Sequence, residues 1–91
     1  MKTIIIDGKA IRNIEDFHHE ISDKLELNSS YGRNLDALWD SLTAGTAMPL
    51  TIRWINYQVS KEYLGEYAEQ IVNLMRETEE ELKNFTFELL H

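Results

Sequence analysis

Three short runs of β-branched and aromatic residues are separated by stretches with helical periodicity, and this alternation limits the fold more than any other feature of the chain. Thr3 to Ile6 reads as a buried strand, and Asp7-Gly8 as a turn. Ile14, Phe17, Ile21 and Leu25 follow the helical period and mark a helix, for which Asn13 is a suitable cap. Leu50 to Trp54 reads as a second strand with Ile52 and Trp54 on one face. Ser60 to Leu64 is a short helical piece, and a longer helix runs from about Glu66 to Leu82 with Tyr67, Ile71, Leu74, Met75 and Leu82 inward. Phe85 to Leu90 is a third strand, alternating Phe85, Phe87 and Leu89 on one face. Strands joined through helices favour an α/β unit with a parallel sheet, because parallel neighbours need a crossover connection. The chain shows no repeat, no low-complexity segment and no linker. Its 91 residues are expected to form one domain, residues 1–91.

Between the first helix and the second strand lies the run Tyr31-Gly32-Arg33-Asn34-Leu35-Asp36-Ala37-Leu38-Trp39-Asp40, entered through the loop Asn28-Ser29-Ser30. Gly32 supplies a turn, and Asn34 is a good N-cap for a helix beginning at Leu35. Leu35, Leu38, Trp39 and Leu42 then form one apolar stripe, while Asp36, Asp40 and Thr43 fall on the neighbouring one. Pro49 prevents the helix from continuing past its expected end at Thr43 to Gly45. Like charges spaced as Asp36 and Asp40 repel by roughly 0.2–0.5 kcal/mol on an isolated helix. Asp36 gains from the helix dipole in the first turn, whereas Asp40 sits one turn further in and gains little. A fold alone has no need of Asp40.

Charge sets the function classes. Nine basic against 16 acidic residues give a formal charge of −7, which repels nucleic acid and anionic membrane and attracts basic proteins from a distance. No cluster of Lys and Arg offers phosphate contacts, so direct nucleic-acid binding is not expected. With no cysteine there is no disulfide, no thiolate nucleophile and no cysteine metal site. The apolar run after Met1 stops at Asp7, too soon for a signal peptide, and no stretch approaches the length of a membrane span. The expected compartment is the cytoplasm, and no cofactor is expected.

The run from Tyr31 to Asp40 resembles the signature of the barstar family, small intracellular inhibitors of secreted microbial ribonucleases. The similarity extends to Ile4-Ile5-Ile6-Asp7-Gly8 with Ile11-Arg12, to Asp40-Ser41-Leu42-Thr43, and to Met48-Pro49-Leu50 and Trp54, in order and without a gap. It covers essentially the whole chain. The resemblance implies three parallel strands covered by about four helices, and a one-to-one complex with a basic, barnase-like ribonuclease by a protein that is monomeric when free. It maps the family's principal inhibitory acid, which occupies the substrate phosphate position, onto Asp40. Asp36 would pair with a flanking Lys or Arg of the enzyme, and Glu77 matches a further acidic contact. Tyr31, Gly32, Asn34, Leu35, Trp39 and Thr43 match the family's packing and hydrogen-bonding surface. The family loop also suggests a cis Met48-Pro49 bond. The chain departs from the pattern at Ser30 and Gly45, where aromatics are usual, and at Arg33, where an acid is usual. These departures point to a changed partner or a lower affinity.

Two other functions are open to the same residues. A barstar-like module could bind a different basic protein without inhibiting RNA cleavage. A small hydrolase could use Asp36 and Asp40 as an acid/base pair, but these face outward together on one helix, and neither a nucleophile nor oxyanion donors are visible. The acidic run from Glu77 to Glu81 is otherwise an ordinary solvated helix face. His18-His19 lacks a third ligand at metal spacing and reads as a surface pair, and His91 as a mobile terminus. Trp54, Phe85 and Phe87 are expected in the core, with Tyr57, Tyr63 and Tyr67 either core or rim.

Overall fold

A computed structural model describes residues 2–91. Strand β1 (Lys2–Asp7) is followed by a short 3-10 turn (Gly8–Ala10) and helix α1 (Ile14–Leu25). Helix α2 (Leu35–Asp40) runs into a π-helical turn (Ser41–Gly45) and then strand β2 (Leu50–Ile55). Helices α3 (Tyr57–Leu64) and α4 (Glu66–Glu81) precede strand β3 (Phe85–Leu89). The three strands form one parallel sheet in the order β1-β2-β3, in register Ile4↔Ile52↔Phe87 and Ile6↔Trp54↔Leu89. This is the α/β unit with a parallel sheet that the alternating pattern favours, with the three strands and four helices that the resemblance implies.

The alternation of each strand decides which face is buried. Ile4, Ile6, Leu50, Ile52, Trp54, Phe85 and Phe87 point to one side and are almost fully buried. Phe17 of α1 lies over Trp54, with ring centroids 5.6 Å apart, and Leu38, Leu42, Ala68, Ile71 and Met75 complete the core. Burial of side chains this size stabilises by about 1.5–3 kcal/mol each. The helices cover only that face. Thr3, Thr86 and Ile5 are exposed on the other, where Ile5 stands beside an Arg53–Glu88 ion pair of 2.6 Å. β1 is therefore half-buried, not buried as expected from its three consecutive isoleucines. A two-faced strand and a one-faced edge strand share that composition, and only the covering elements separate them.

Local chemistry sets the joints. Asn13 Oδ1 accepts from Asp16 N at 2.7 Å and caps α1, as its position suggests. Gly8 is required by close approach, since a Cβ there would stand 2.0 Å from the carbonyl oxygen of Asn56. Asn56 Nδ2 donates to Asp7 Oδ1 at 3.0 Å across the same joint. That bond, helped by the Lys9 amide, holds the Asp7 carboxyl below its usual range. The Met48–Pro49 peptide is cis. α3 begins at Tyr57, three residues before the expected start at Ser60, because Asn56 takes a left-handed conformation (φ 52) that turns the chain directly from β2 into helix. α4 ends at Glu81, and Leu82 packs half-buried just beyond it.

Candidate functional site

The Tyr31–Asp40 run folds as a short, tightly fastened ridge. Arg33 takes a left-handed conformation (φ 54) that turns the chain into the helix. Asn34 Oδ1 then accepts from the amide of Ala37 at 2.7 Å, capping α2 as expected. Leu38 and Leu42 are fully buried, and Leu35 and Trp39 half-buried against the core. This leaves Asp36 and Asp40 exposed on the outer side. α2 is only six residues long, far below the length at which an isolated helix holds, so its buried leucines and cap fix the carboxylates in place. The last turn widens from α to π. Thr43 donates its hydroxyl proton to the Trp39 carbonyl at 2.8 Å, and Thr46 to that of Ser41 at 2.7 Å.

Grooves flank the ridge on both sides. In one, Leu35, Asp36 and Trp39 face Gln70, Asn73 and Glu77 of α4, so packing brings Glu77 beside the motif although it lies far along the chain. In the other, Asp40 and Gly45 face Tyr31, Gly32 and Glu26. Among the described residues, none of Asp36, Asp40 and Glu77 has an ion-pair partner. Two of the candidate residues line neither groove. Asn34 spends its side chain on the cap, and the half-buried Thr43 directs its hydroxyl back into the helix end. Arg33 lines neither groove, but sits at the α1 side in a recess with His19, Ser22, Asp23, Glu26 and Leu27, the last two of which also wall the Asp40-side groove.

Tyr31 is held from behind by a histidine expected on the surface. His18 is fully buried, not on the surface, with Nδ1 2.6 Å from the Tyr31 hydroxyl and Nε2 2.7 Å from that of Tyr67. A neutral imidazole donates through one nitrogen and accepts through the other, so it satisfies both phenols at once. Burial, with the nearby Arg33 charge, lowers the His18 pKa to about 4. Burial likewise raises the phenol pKa values of Tyr31 and Tyr67. The signal was present in the sequence. His18 stands four residues after Ile14, three before Ile21 and seven before Leu25, and so shares the inward stripe, whereas Ile14 is 44% exposed. Its neighbour His19 is exposed, and His91 rests its ring edge-on against Tyr57 at 5.5 Å.

The arrangement suits recognition. Fixed, unpaired carboxylates stand beside a half-buried Trp and Tyr on a convex ridge, which presents negative charge to a cationic cavity at little cost in side-chain freedom. The family model described as "Barstar (barnase inhibitor)" matches residues 1–91. A Bacillus subtilis (strain 168) protein named "Putative ribonuclease inhibitor YrdF" is 46% identical over 84 residues, covering 92% of each chain. The chain belongs to the barstar family.

Proposed function

We propose that this protein inhibits a basic, secreted microbial ribonuclease, binding one-to-one in the cytoplasm of the producing cell and blocking the enzyme's active site. One domain, residues 1–91, carries the function. The observation that carries the reading is the ridge of unpaired carboxylates, Asp36 and Asp40 with Glu77 alongside, on a chain of a family described by barnase inhibition. The ribonuclease-inhibitor name of the Bacillus subtilis relative supports the same activity. Family membership also sets aside the hydrolase alternative: the chain is an inhibitor, not an enzyme.

The mechanism is mimicry of charge. A ribonuclease gathers His, Arg and Lys to hold a phosphate and the charge that develops on it. Asp40 takes the phosphate position and is attracted by the same cations, while Asp36 and Glu77 meet cations at the rim. Tyr31, Gly32, Leu35 and Trp39 supply the packed surface that excludes water around the acids, and Asn34 and Thr43 hold the ridge in shape. A steep loss on removing Asp40 is the expectation, and it is taken from the barstar–barnase pair, where acidic hot spots are steep, not from the geometry of this chain.

Occlusion of the active site has a direct test. A mononucleotide carrying a terminal phosphate should compete with the inhibitor, raising its apparent Kd in proportion to nucleotide concentration. A Kd that ignores saturating nucleotide would place the contact away from the active site. A second reading, capture of another basic protein, draws on Ser30 and Gly45, which line the groove beside Asp40 where aromatics are usual, and on Arg33, which stands where an acid is usual. It predicts tight binding with RNA cleavage intact.

A further inference from the structure

Parallel sheets are ordinarily buried on both faces, because their crossover helices cover both. Here the helices, and the candidate docking ridge with them, lie on the side of Ile4, Ile52, Trp54 and Phe87. The register sets three rows on the uncovered face. They are Thr3–Thr51–Thr86, Ile5–Arg53–Glu88, and Asp7–Ile55 with Leu90 just past the end of β3. Ile5 is 42% exposed and Leu90 48%. Arg53 gives only its Nε to Glu88 Oε1, at 2.6 Å. Among the described residues, its two terminal nitrogens and the second Glu88 oxygen have no partner. The pair leaves this face balanced in charge except for Asp7, whose carboxylate is taken up by Asn56 and the Lys9 amide. On a chain of formal charge −7, a basic protein is therefore drawn to the ridge and not to this face. A second acidic copy, by contrast, meets no array of like charge here.

We propose that a second copy of this chain covers the open face, as a weak two-fold dimer. A closed dimer needs a patch complementary to itself, and the rows supply one. A two-fold axis running along the strands between β2 and β3 exchanges those strands across the interface. It sets Arg53 over Glu88 of the second copy, and Glu88 over its Arg53, so that free guanidinium nitrogens meet free carboxylate oxygens. The same rotation sets Ile55 over Leu90 and Thr51 over Thr86. An axis along β2 itself would stack Arg53 on Arg53, so the charge pattern selects one arrangement. A hollow of about 510 Å³, lined by Arg53, Glu88, Leu89 and Leu90, has room for Ile55 of the second copy. Three short strands bury less than about 1,000 Å² in all, the range of transient contacts, which gives a Kd on the order of 100 µM. The free monomer is then the form found in dilute solution. The proposal is independent of the ribonuclease reading. Both ridges face away from the interface, so each copy still takes one enzyme.

The test is sedimentation equilibrium of the full chain from about 10 µM to 1 mM, a range that brackets the expected Kd. Thermal melts confirm that each variant folds. Wild type should pass from monomer to dimer across the range. Arg53→Glu alone, or Glu88→Arg alone, sets like charges face to face and should weaken dimerisation about tenfold or more. An equimolar mixture of the two variants opposes the carboxylates of one to the guanidinium groups of the other. It should recover a Kd within about threefold of wild type, which damage confined to the folded monomer would not allow. Wild type that stays monomeric throughout overturns the proposal. So does a dimer that neither reversal weakens, which places the contact elsewhere, and so does a mixture that fails to recover. Should either reversal variant fail to melt cooperatively, Leu90→Glu decides the matter: loss of the dimer supports the interface, and an unchanged dimer overturns it.

Discussion

His18 supports the proposed docking face without being on it. Its neutral ring accepts from one tyrosine and donates to the other, and protonation would turn both nitrogens into donors inside the core, close to Arg33. The folded-state pKa, about 4, lies below the ordinary value of 6.5, so the unfolded chain takes up the proton first as pH falls. Above pH 6.5 both states are neutral and His18 gives no pH slope. Between about 6.5 and 4 stability declines, by up to roughly 3 kcal/mol, and below 4 the loss levels off. Asp7 has the opposite charge type but the same direction of effect. Its lowered pKa contributes stability that disappears only as pH falls below 3.8, a separate window. Urea midpoints from pH 7.5 to 4 should therefore slope for the wild type and lose most of that slope in His18→Gln. An unchanged slope would deny His18 its role. The sequence offered the helical position of this residue but not its partners. Tyr31 and Tyr67 reach it from a loop and a distant helix, and such meetings are settled by tertiary packing.

At the scale of elements, the motif helix depends on its ends. Asn34→Ala removes the side-chain acceptor of the α2 cap and should cost about 1 kcal/mol in urea denaturation, with weaker ribonuclease binding because Asp36 and Asp40 lose their fixed frame. Gly8→Ala should cost more, several kcal/mol, since its Cβ would collide with backbone, the Asn56 carbonyl, and not with a yielding side chain. A Gly8→Ala protein with wild-type stability would show that the 3-10 turn and α3 part easily. The elements with strong periodicity, α1, α4 and β3, were legible from spacing alone, as were both asparagine caps. Less legible were the features that depend on one special backbone angle or on a neighbouring layer. The left-handed Asn56 moved the start of α3, and the open face of the sheet left Ile5 42% exposed. The π-helical turn after Asp40 carries no hydrophobic period that would distinguish it from an α-helical end.

On the scale of the whole molecule, acidity and the placement of a few charges act together. In the proposed complex, a formal charge of −7 draws a basic enzyme from beyond contact distance, and the acids of the ridge orient it on arrival. Arg33 lines neither groove yet still weakens that field. Arg33→Glu should therefore speed association several-fold at low salt and steepen its salt dependence, while changing dissociation little. Stopped-flow rates that do not change with this substitution would remove long-range steering from the account. The candidate site was legible as a motif because its acids and cap lie within one short run. The groove on the Asp40 side was not, since it arises where the end of α1 folds back against the π-helical turn. Asp40 is the residue proposed to block a ribonuclease active site. The most direct measurement is RNA cleavage by a barnase-type ribonuclease, titrated with wild type and Asp40→Ala at low and moderate salt. The account predicts loss of activity complete at one inhibitor per enzyme for the wild type, and for Asp40→Ala inhibition weakened by about 2 kcal/mol or more. Full cleavage in the presence of excess, well-bound wild-type protein would contradict it.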